Sequence, residues 1–349
     1  MVSRLQDDPR IDPRIKQAFG ELHLTPARDV SSREELLKEE LSPEAQARYA
    51  SMFAVMETAD SEDIAPSAGL RTFEQKIPST PDGNYIGLRI VRPDTDERVA
   101  CVYYIHGGAM QILSCFNGTY SAWSRMIAAH GVAVVMVDFR NCVLPSSVPE
   151  VAPYPAGLND CLSGLRWLHA NAAQFGIDPT RIVIAGESGG ANLAIATALK
   201  LKRDDDLALL QGLYALCPYI AGQWPLPQNP SSIENNGILD DYHNNRGRMA
   251  YGIEAFLARD PLAWPGFATE EDVRGLPPVV ISVNECDPFR DEGVGFYRLL
   301  LRAQVPARCS QLMGMTHGAQ VFPLGVCLDI SRDAASHIAS FAKGSGESR

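Results

Sequence analysis

RIVIAGESGGANLAIATALK, residues 181–200, combines three patterns that decide the fold. The apolar run 181–185 predicts a buried β-strand, and residues 190–202 predict a helix. Between them GESGG at 186–190 forms a G-x-S-x-G motif, whose serine sits on a sharp strand-to-helix turn with small neighbours. That turn lifts the Ser188 hydroxyl to a helix N-terminus, where the helix dipole and unpaired N–H groups stabilise a developing anion.

Apolar runs and helical patterns alternate on both sides of this motif. A Pro-Asp-Gly-Asn turn predicts a hairpin, and the later runs predict buried strands separated by helices. The predicted strands are 71–77, 85–92, 99–105, 132–139, 181–185, 210–216, 278–283 and 307–313, and the predicted helices are 121–130, 156–171, 190–202, 294–303 and 328–341. We therefore expect an α/β protein with a mostly parallel central sheet of about eight strands and helices on both faces.

Two segments interrupt this alternation. Residues 1–70 are polar with helical stretches, notably 32–57, and residues 221–271 form an insertion rich in Pro, Asn and Trp between two strands. We expect both segments to build a helical cap over the carboxyl ends of the strands. The catalytic domain is then expected to span residues 71–349, with the insertion inside it.

A glycine-containing loop follows the predicted strand 99–105 and begins His-Gly-Gly-Ala-Met at His106. A loop after this strand supplies backbone N–H groups to the oxyanion of a tetrahedral intermediate in α/β-hydrolases. Glycine lets the backbone approach closely and turn its N–H groups inward. We therefore expect the N–H groups of Gly107, Gly108 and Gly189 to form an oxyanion hole, and we expect His106 to shape the loop.

The acid that would orient a catalytic histidine is expected in the loop after strand 278–283. Asp287 lies in that loop, with Glu285 and Asp291 as competitors. Asp291 falls in the first turn of the following helix, where an acid commonly complements the helix dipole. Asp287 is therefore our candidate, with the role of fixing the histidine tautomer and stabilising the imidazolium.

The general base is expected after the acid along the chain, because the order in this fold is serine, acid, histidine. His317 follows the predicted strand 307–313 and meets this expectation. His243 lies in a polar run of the insertion, and His337 lies within the final helix. We therefore assign the general base to His317.

Five stretches resemble the hormone-sensitive-lipase-like family of α/β-hydrolase carboxylesterases. They are HGGAMQIL (106–113), VVMVDFRN (134–141), GESGGANLAIAT (186–197), DPLAWPGFA (260–268) and VNECDPFRDEG (283–293). The resemblance implies the α/β-hydrolase fold and a serine carboxylesterase without cofactor or metal. Carried over to this sequence, Ser188 is the nucleophile, Asp287 the acid and His317 the base of an acyl-enzyme mechanism. The sequence departs from the family at Ala109, where the family has a third glycine.

The substrate pocket is the least specified part of the site. We assign Met110, Phe139, Trp224 and Trp264 to it, and we expect hydrolysis of esters with short to medium acyl chains or of lactones. A lactonase, amidase or deacetylase with the same triad remains an alternative, as does a non-catalytic ligand receptor on this fold. A dinucleotide-binding enzyme is disfavoured, because HGGAM and not G-x-G-x-x-G follows the first parallel strand.

Composition narrows the class of partner. Of 349 residues, 46% are hydrophobic and 21% charged, as in globular proteins, and the net charge of −11 would repel nucleic acid. The chain has no apolar run long enough to span a bilayer, no visible signal peptide and no CxxC pair among its cysteines. We expect a cytoplasmic protein with reduced thiols that acts on a small molecule, and a homodimer stays open.

Overall fold

Eight strands form a single sheet in the computed structural model, which describes residues 3–24 and 27–344. They are β1 (Leu70–Pro78), β2 (Tyr85–Pro93), β3 (Val99–Ile105), β4 (Ala133–Asp138), β5 (Ile177–Glu187), β6 (Gly212–Leu216), β7 (Val279–Cys286) and β8 (Ala307–Thr316). Their spatial order is β1-β2-β4-β3-β5-β6-β7-β8. β1 pairs antiparallel with β2 and β2 with β4, whereas all other pairs are parallel. The predicted α/β sheet with a hairpin at its edge is confirmed.

Helices cover both faces of the sheet. The α-helices of the described residues are α1 (Pro13–Phe19), α2 (Arg33–Glu40), α3 (Pro43–Glu57), α4 (Gly118–Ala128), α5 (Ala156–Asn171), α6 (Gly189–Arg203), α7 (Ser231–Glu234), α8 (Arg246–Tyr251), α9 (Ile253–Leu257), α10 (Glu270–Val273), α11 (Arg290–Arg302) and α12 (Leu328–Gly344). Residues of α5, α6 and α11 share one hydrophobic core, and residues of α4 and α12 share the other. Within the described ranges, every helix is too short or too polar to cross a bilayer.

The two cores explain why the central strands read as continuous apolar runs. Along β3, Cys101 and Tyr103 belong to the core under α5 and α6, whereas Val102 and Tyr104 belong to the core under α4 and α12. Successive side chains of a strand point to opposite faces, so a strand covered on both sides is apolar at every position. This two-sided burial places the reactive residues at the strand ends, where the chain leaves the core.

Helix α11 begins four residues earlier than the sequence predicts, at Arg290 instead of 294. Gly293 caused this error, because glycine disfavours the interior of a helix by about 1 kcal/mol. A Cβ atom at Gly293 would lie 2.5 Å from a methyl group of Val283. The glycine therefore permits close packing of α11 on β7 and does not end the helix.

The N-terminal segment and the insertion lie near the carboxyl ends of β7 and β8. Ile11 and Ile15 share a small hydrophobic core with Ile238 from the insertion and with Met315 near the end of β8. Further along the chain, Arg246 of α8 forms ion pairs with two glutamates of α2. The two segments predicted to form a cap therefore contact each other, and their function as a cap stays a proposal.

A buried ion pair joins the loop after β4 to α5. Asp160 accepts the Nε and Nη2 groups of Arg140 at 2.8 and 2.9 Å, and also accepts the Ser79 hydroxyl at 2.6 Å. Asp160 has no exposed surface. Removing its charge would leave the buried Arg140 guanidinium with only the partly exposed Asp82 as an ion-pair partner among the described residues.

We expect Asp160→Asn to lower the free energy of unfolding by about 3 kcal/mol, the usual cost of breaking a buried pair. Asp206→Asn is the matched control, because its ion pair with Arg166 is partly exposed to solvent and is worth less than about 1 kcal/mol. Urea unfolding of both variants and the wild type tests this. Equal midpoints for the two variants would contradict the structural role of Asp160.

Candidate active site

Ser188 lies on the turn between β5 and α6 with φ 55° and ψ −120°. Residues with a side chain rarely adopt a positive φ, so the surroundings must hold this conformation. The Ser188 N–H donates to the Leu216 carbonyl at 2.9 Å. A Cβ atom at Gly190 would lie 2.1 Å from the Ile105 carbonyl oxygen, and one at Gly186 only 2.5 Å from the Gly190 backbone. The turn therefore requires these two glycines, as the sequence predicts.

Three side chains from the ends of three strands meet at this turn. His317 Nε2 lies 2.8 Å from Ser188 Oγ, and His317 Nδ1 lies 2.8 Å from Asp287 Oδ2. The other carboxylate oxygen of Asp287 accepts the Phe289 N–H at 2.8 Å. Asp287 is fully buried, whereas 16% of the His317 side chain is exposed. The structure thus brings the predicted nucleophile, base and acid into one hydrogen-bonded chain that opens towards solvent at its histidine.

The competing acids and histidines have other contacts. Glu285 accepts a backbone N–H of β8, and Asp291 forms an ion pair with Arg290 in the first turn of α11. His243 is exposed, with its ring nitrogen near a backbone carbonyl of α7, and His337 is exposed on α12. The location of these residues supports the choice of Asp287 and His317 made from chain order.

Gly107 does not fulfil its expected role as an oxyanion donor. Its N–H donates to Glu187 Oε1 at 2.6 Å and lies 3.1 Å from the Tyr120 hydroxyl. A Cβ atom at Gly107 would lie 2.7 Å from the same Glu187 oxygen, so this peptide faces the carboxylate. An N–H group already bonded to a carboxylate is not available to a reacting oxygen, which corrects the sequence-based expectation.

The next two peptides of the loop face the nucleophile turn. Gly108, Ala109 and Met110 have φ angles of 90°, 55° and 61°, which turn the chain sharply. A Cβ atom at Gly189 would lie 2.6 Å from Ala109 Cα and 2.7 Å from the Met110 nitrogen. Among the described residues, no acceptor lies within hydrogen-bond distance of the Gly108, Ala109 or Gly189 N–H. These three unpaired N–H groups are the available donors.

Glu187 is a residue of the site that the sequence analysis missed. Its carboxylate is buried and also accepts the hydroxyls of Tyr104 at 2.5 Å and Tyr120 at 2.6 Å. Burial raises the pKa of Glu187 to about 7, although these hydrogen bonds oppose the shift. An ionisable residue between a buried strand and the nucleophile was the available signal, because such a side chain needs buried partners.

His106 is buried beneath the loop, as expected for a residue that shapes it. Its ring stacks on Phe139 with centroids 4.3 Å apart, and its Nδ1 lies 3.0 Å from the Gly107 carbonyl. Burial lowers the pKa of His106, which favours the neutral ring at neutral pH. Phe139 has no exposed surface. It therefore supports the loop from below, and its place in the substrate pocket stays a prediction.

The other residues assigned to the pocket are also buried. Trp264 has no exposed surface, and its assignment also stays a prediction. Met110 and Trp224 are 1% and 5% exposed, and their place in the pocket stays a prediction. The ring centroids of Trp224 and Phe289 lie 5.1 Å apart, and the Phe289 ring contacts His317 edge to face. Phe289, which the sequence analysis did not select, is thus the aromatic residue against the base.

One group of side chains has the residue types of a metal site. Ligand atoms of Cys217, Asp287 and His317 lie within 4.8 Å of one another, and this is the one such group among the described residues. Burial raises the pKa of the Cys217 thiol well above its usual range, which disfavours the thiolate that metals require. Asp287 and His317 are already hydrogen-bonded to each other. The donor set therefore fits a proton relay better than a metal centre.

Comparison with known proteins agrees with this geometry. The family described as "alpha/beta hydrolase fold" matches residues 102–321. Carboxylesterase NlhH of Mycobacterium tuberculosis is 30% identical over 240 residues, which cover 67% of this chain and 70% of that protein. The chain belongs to the hormone-sensitive-lipase-like family of α/β-hydrolases. Like its relatives in this family, it is a carboxylic ester hydrolase.

Two solved structures of this family resemble the chain over nearly its full length. Esterase Est22 is 58% identical with a TM-score of 0.97, covering 99% of this chain and 100% of that chain. Brefeldin A esterase, a bacterial homologue of human hormone-sensitive lipase, is 32% identical with a TM-score of 0.86, covering 98% of both chains. The similarity therefore includes the N-terminal segment and the insertion as well as the sheet.

We expect Gly189→Ala to lower kcat, because its Cβ would displace the backbone of Ala109 and with it the unpaired N–H groups. A shift of about 1 Å in such a site costs on the order of a hundredfold in rate. Gly295→Ala is the matched control, because a Cβ there meets open space on α11. Steady-state kinetics and melting temperatures of both variants test this. Wild-type kcat in Gly189→Ala would contradict the contact.

Proposed function

We propose that this protein hydrolyses carboxylic esters through a Ser188-His317-Asp287 triad and an acyl-enzyme intermediate. The observation that carries the proposal is the chain of two 2.8 Å contacts from Asp287 through His317 to the Ser188 hydroxyl. A nucleophile, a base and an orienting acid in this order are the minimum for nucleophilic acyl transfer. The similarity to carboxylesterases gives the reaction class, and these contacts support the proposed residues.

In the proposed mechanism, Ser188 Oγ attacks the ester carbonyl carbon while His317 Nε2 accepts the hydroxyl proton. Asp287 holds the proton on His317 Nδ1 and stabilises the imidazolium. The tetrahedral intermediate collapses, and the alcohol leaves with the proton from His317. Water then attacks the acyl-enzyme with His317 again as base, which releases the acid and restores the Ser188 hydroxyl.

The developing negative charge falls on the carbonyl oxygen. We assign the N–H groups of Gly108, Ala109 and Gly189 to it, because they are unpaired and because Gly189, next to Ser188, lies against the backbone of Ala109 and Met110. Donors held in place before the reaction are worth about 3 kcal/mol each in such sites. Ala109 can donate as glycine would, because the donor is its backbone and its φ of 55° gives the required turn.

The cap and the substrate are further parts of the proposal. Residues 1–70 and 221–271 would select substrate as a cap, which their mutual contacts near the ends of β7 and β8 support. We propose esters with short to medium acyl chains or lactones as substrates. The name of brefeldin A esterase, a relative over 98% of the chain, points to a lactone. The intact hydrogen-bonded triad favours hydrolysis over a receptor function.

Location and partners follow from weaker observations. A cytoplasmic location is supported by the cysteines, all eight of which are free and seven of which are buried. The net charge of −11 supports a small-molecule partner over a nucleic acid. A homodimer stays a prediction.

We expect Ser188→Ala to reduce hydrolysis of p-nitrophenyl butyrate by several orders of magnitude, because no other hydroxyl is bonded to His317 among the described residues. Ser310→Ala, on the exposed side of β8, is the matched control. In wild-type protein quenched with acid, mass spectrometry should locate the acyl group on the peptide that contains Ser188. Near-wild-type turnover by Ser188→Ala would refute the assigned nucleophile.

The substrate class needs a separate comparison. A chain-length series of p-nitrophenyl esters is measured beside a panel of lactones and the matched p-nitroanilides. We expect the highest kcat/KM among the esters with short to medium chains or the lactones. A preference for the anilides would instead identify an amidase.

A further inference from the structure

The side chain of Glu187 connects the nucleophile turn to the oxyanion loop. Glu187 is the last residue of β5 and the covalent neighbour of Ser188, and the residue is 4% exposed. Oε1 accepts the Gly107 N–H and the Tyr120 hydroxyl, both at 2.6 Å, and Oε2 accepts the Tyr104 hydroxyl. This carboxylate takes no part in the proposed nucleophilic attack or proton transfers.

The loop needs such a connection because its conformation is strained. Ala109 and Met110 both have positive φ, which costs on the order of 1 kcal/mol each and persists only where the surroundings enforce it. The far end is held by the Cys142 N–H, which donates to the Met110 carbonyl at 2.9 Å. The near end is held at Gly107, by the Glu187 carboxylate and the Tyr120 hydroxyl.

We propose that Glu187 is a positioning residue that sets the distance between the oxyanion donors and the Ser188 oxygen. One carboxylate, a single peptide bond away from the nucleophile, bonds the residue that precedes the first available donor, Gly108. The inference rests on the proposed function, because it concerns the N–H groups assigned to the oxyanion. Glu187 acts through Gly107 and does not itself contact the reacting atoms.

The ionised form of Glu187 holds the loop more strongly, because hydrogen bonds to a charged acceptor are shorter and stronger than those to the neutral carbonyl oxygen of a carboxylic acid. The groups that face it are Tyr104 from β3, Tyr120 from α4 and Cys217 after β6, and burial raises the pKa of each, so they stay neutral. Burial raises the pKa of Glu187 to about 7. The carboxylate is therefore present above this pH and is lost as the pH falls through it.

The contribution of Glu187 to the free energy of unfolding should change with pH in the opposite direction to its effect on activity. Because the pKa of Glu187 is higher in the folded protein than in the unfolded chain, folding disfavours the ionised side chain. Its neutral form contributes stability that is fully present below the ordinary glutamate pKa and is lost as the pH rises through about 7. A substitution that removes the charge and keeps the shape should therefore lower activity without lowering stability at pH 8.

Glu187→Gln is the principal test. At pH 8 we expect kcat to fall roughly tenfold, less than for the complete loss of a donor, with KM within about twofold. The Ki of a trifluoromethyl ketone, which forms a tetrahedral oxyanion adduct with the serine, should rise by the same factor, and the melting temperature should not fall. Wild-type kcat and Ki would overturn the inference, as would a loss of activity that tracks a loss of stability.

The pH profile supplies a second readout. The ratio of variant to wild-type kcat should rise as the pH falls from 8 to 6, because the wild type then loses the carboxylate that Glu187→Gln already lacks. Groups that affect both proteins equally cancel in the ratio. A ratio independent of pH would overturn the role of the ionised carboxylate.

Tyr120→Phe provides a second variant with a matched control. It removes one donor to the same Glu187 oxygen, and we expect a lower kcat with unchanged KM. Tyr103→Phe is the control. Tyr103 precedes Tyr104 on β3, and its buried hydroxyl donates to the Cys161 carbonyl on the other face of the sheet. Equal kcat values in these two variants would overturn the inference. If Ser188→Ala is inactive while Glu187→Gln has wild-type kcat, the inference fails and the proposed function stands.

Discussion

The close approach of α6 to the end of β3 is the constraint on which the site depends. A Cβ atom at Gly190 would lie 2.1 Å from the Ile105 carbonyl oxygen and 2.5 Å from that of His106. Without side chains in this gap, the nucleophile turn and the loop after β3 meet backbone to backbone. β7 and β8 run parallel to β3 and β5, so their following loops deliver Asp287 and His317 to the same edge.

Three buried acids fix the loops at this edge. Glu187 holds the oxyanion loop and Asp287 holds His317, while Glu292 of α11 accepts the backbone N–H groups of Ile220 and Ala221 at the start of the insertion. Burial raises the pKa of Glu292 to about 8, as it raises that of Glu187. In each case a carboxylate inside the protein compensates for its desolvation by accepting N–H groups from a segment that lacks regular structure.

Local patterns were sufficient to select the three side chains of the proposed triad, because the information that marks them is local. Ser188 was identified by its own strand, turn and helix, and Asp287 and His317 by their position after apolar strands. The partner of Gly107 lies 80 residues away along the chain, so no local pattern contains it. The burial of Trp264 likewise depends on aromatic rings brought together by folding. The sequence therefore predicts the candidate catalytic residues better than it predicts the buried contacts that surround them.

The ion pairs between the two segments of the proposed cap are weaker than the buried hydrogen bonds beside Ser188. Arg246 pairs with Glu39 and Glu40 across the N-terminal segment and the insertion, and Arg48 pairs with the same Glu40 from a half-exposed position. Partly exposed pairs of this kind contribute less than about 1 kcal/mol each and are screened by salt. The hydrogen bonds of Glu187 and Asp287 are buried and are not screened in this way. In the proposed function, changes in the cap contacts can therefore alter which substrate reaches Ser188 without displacing the triad.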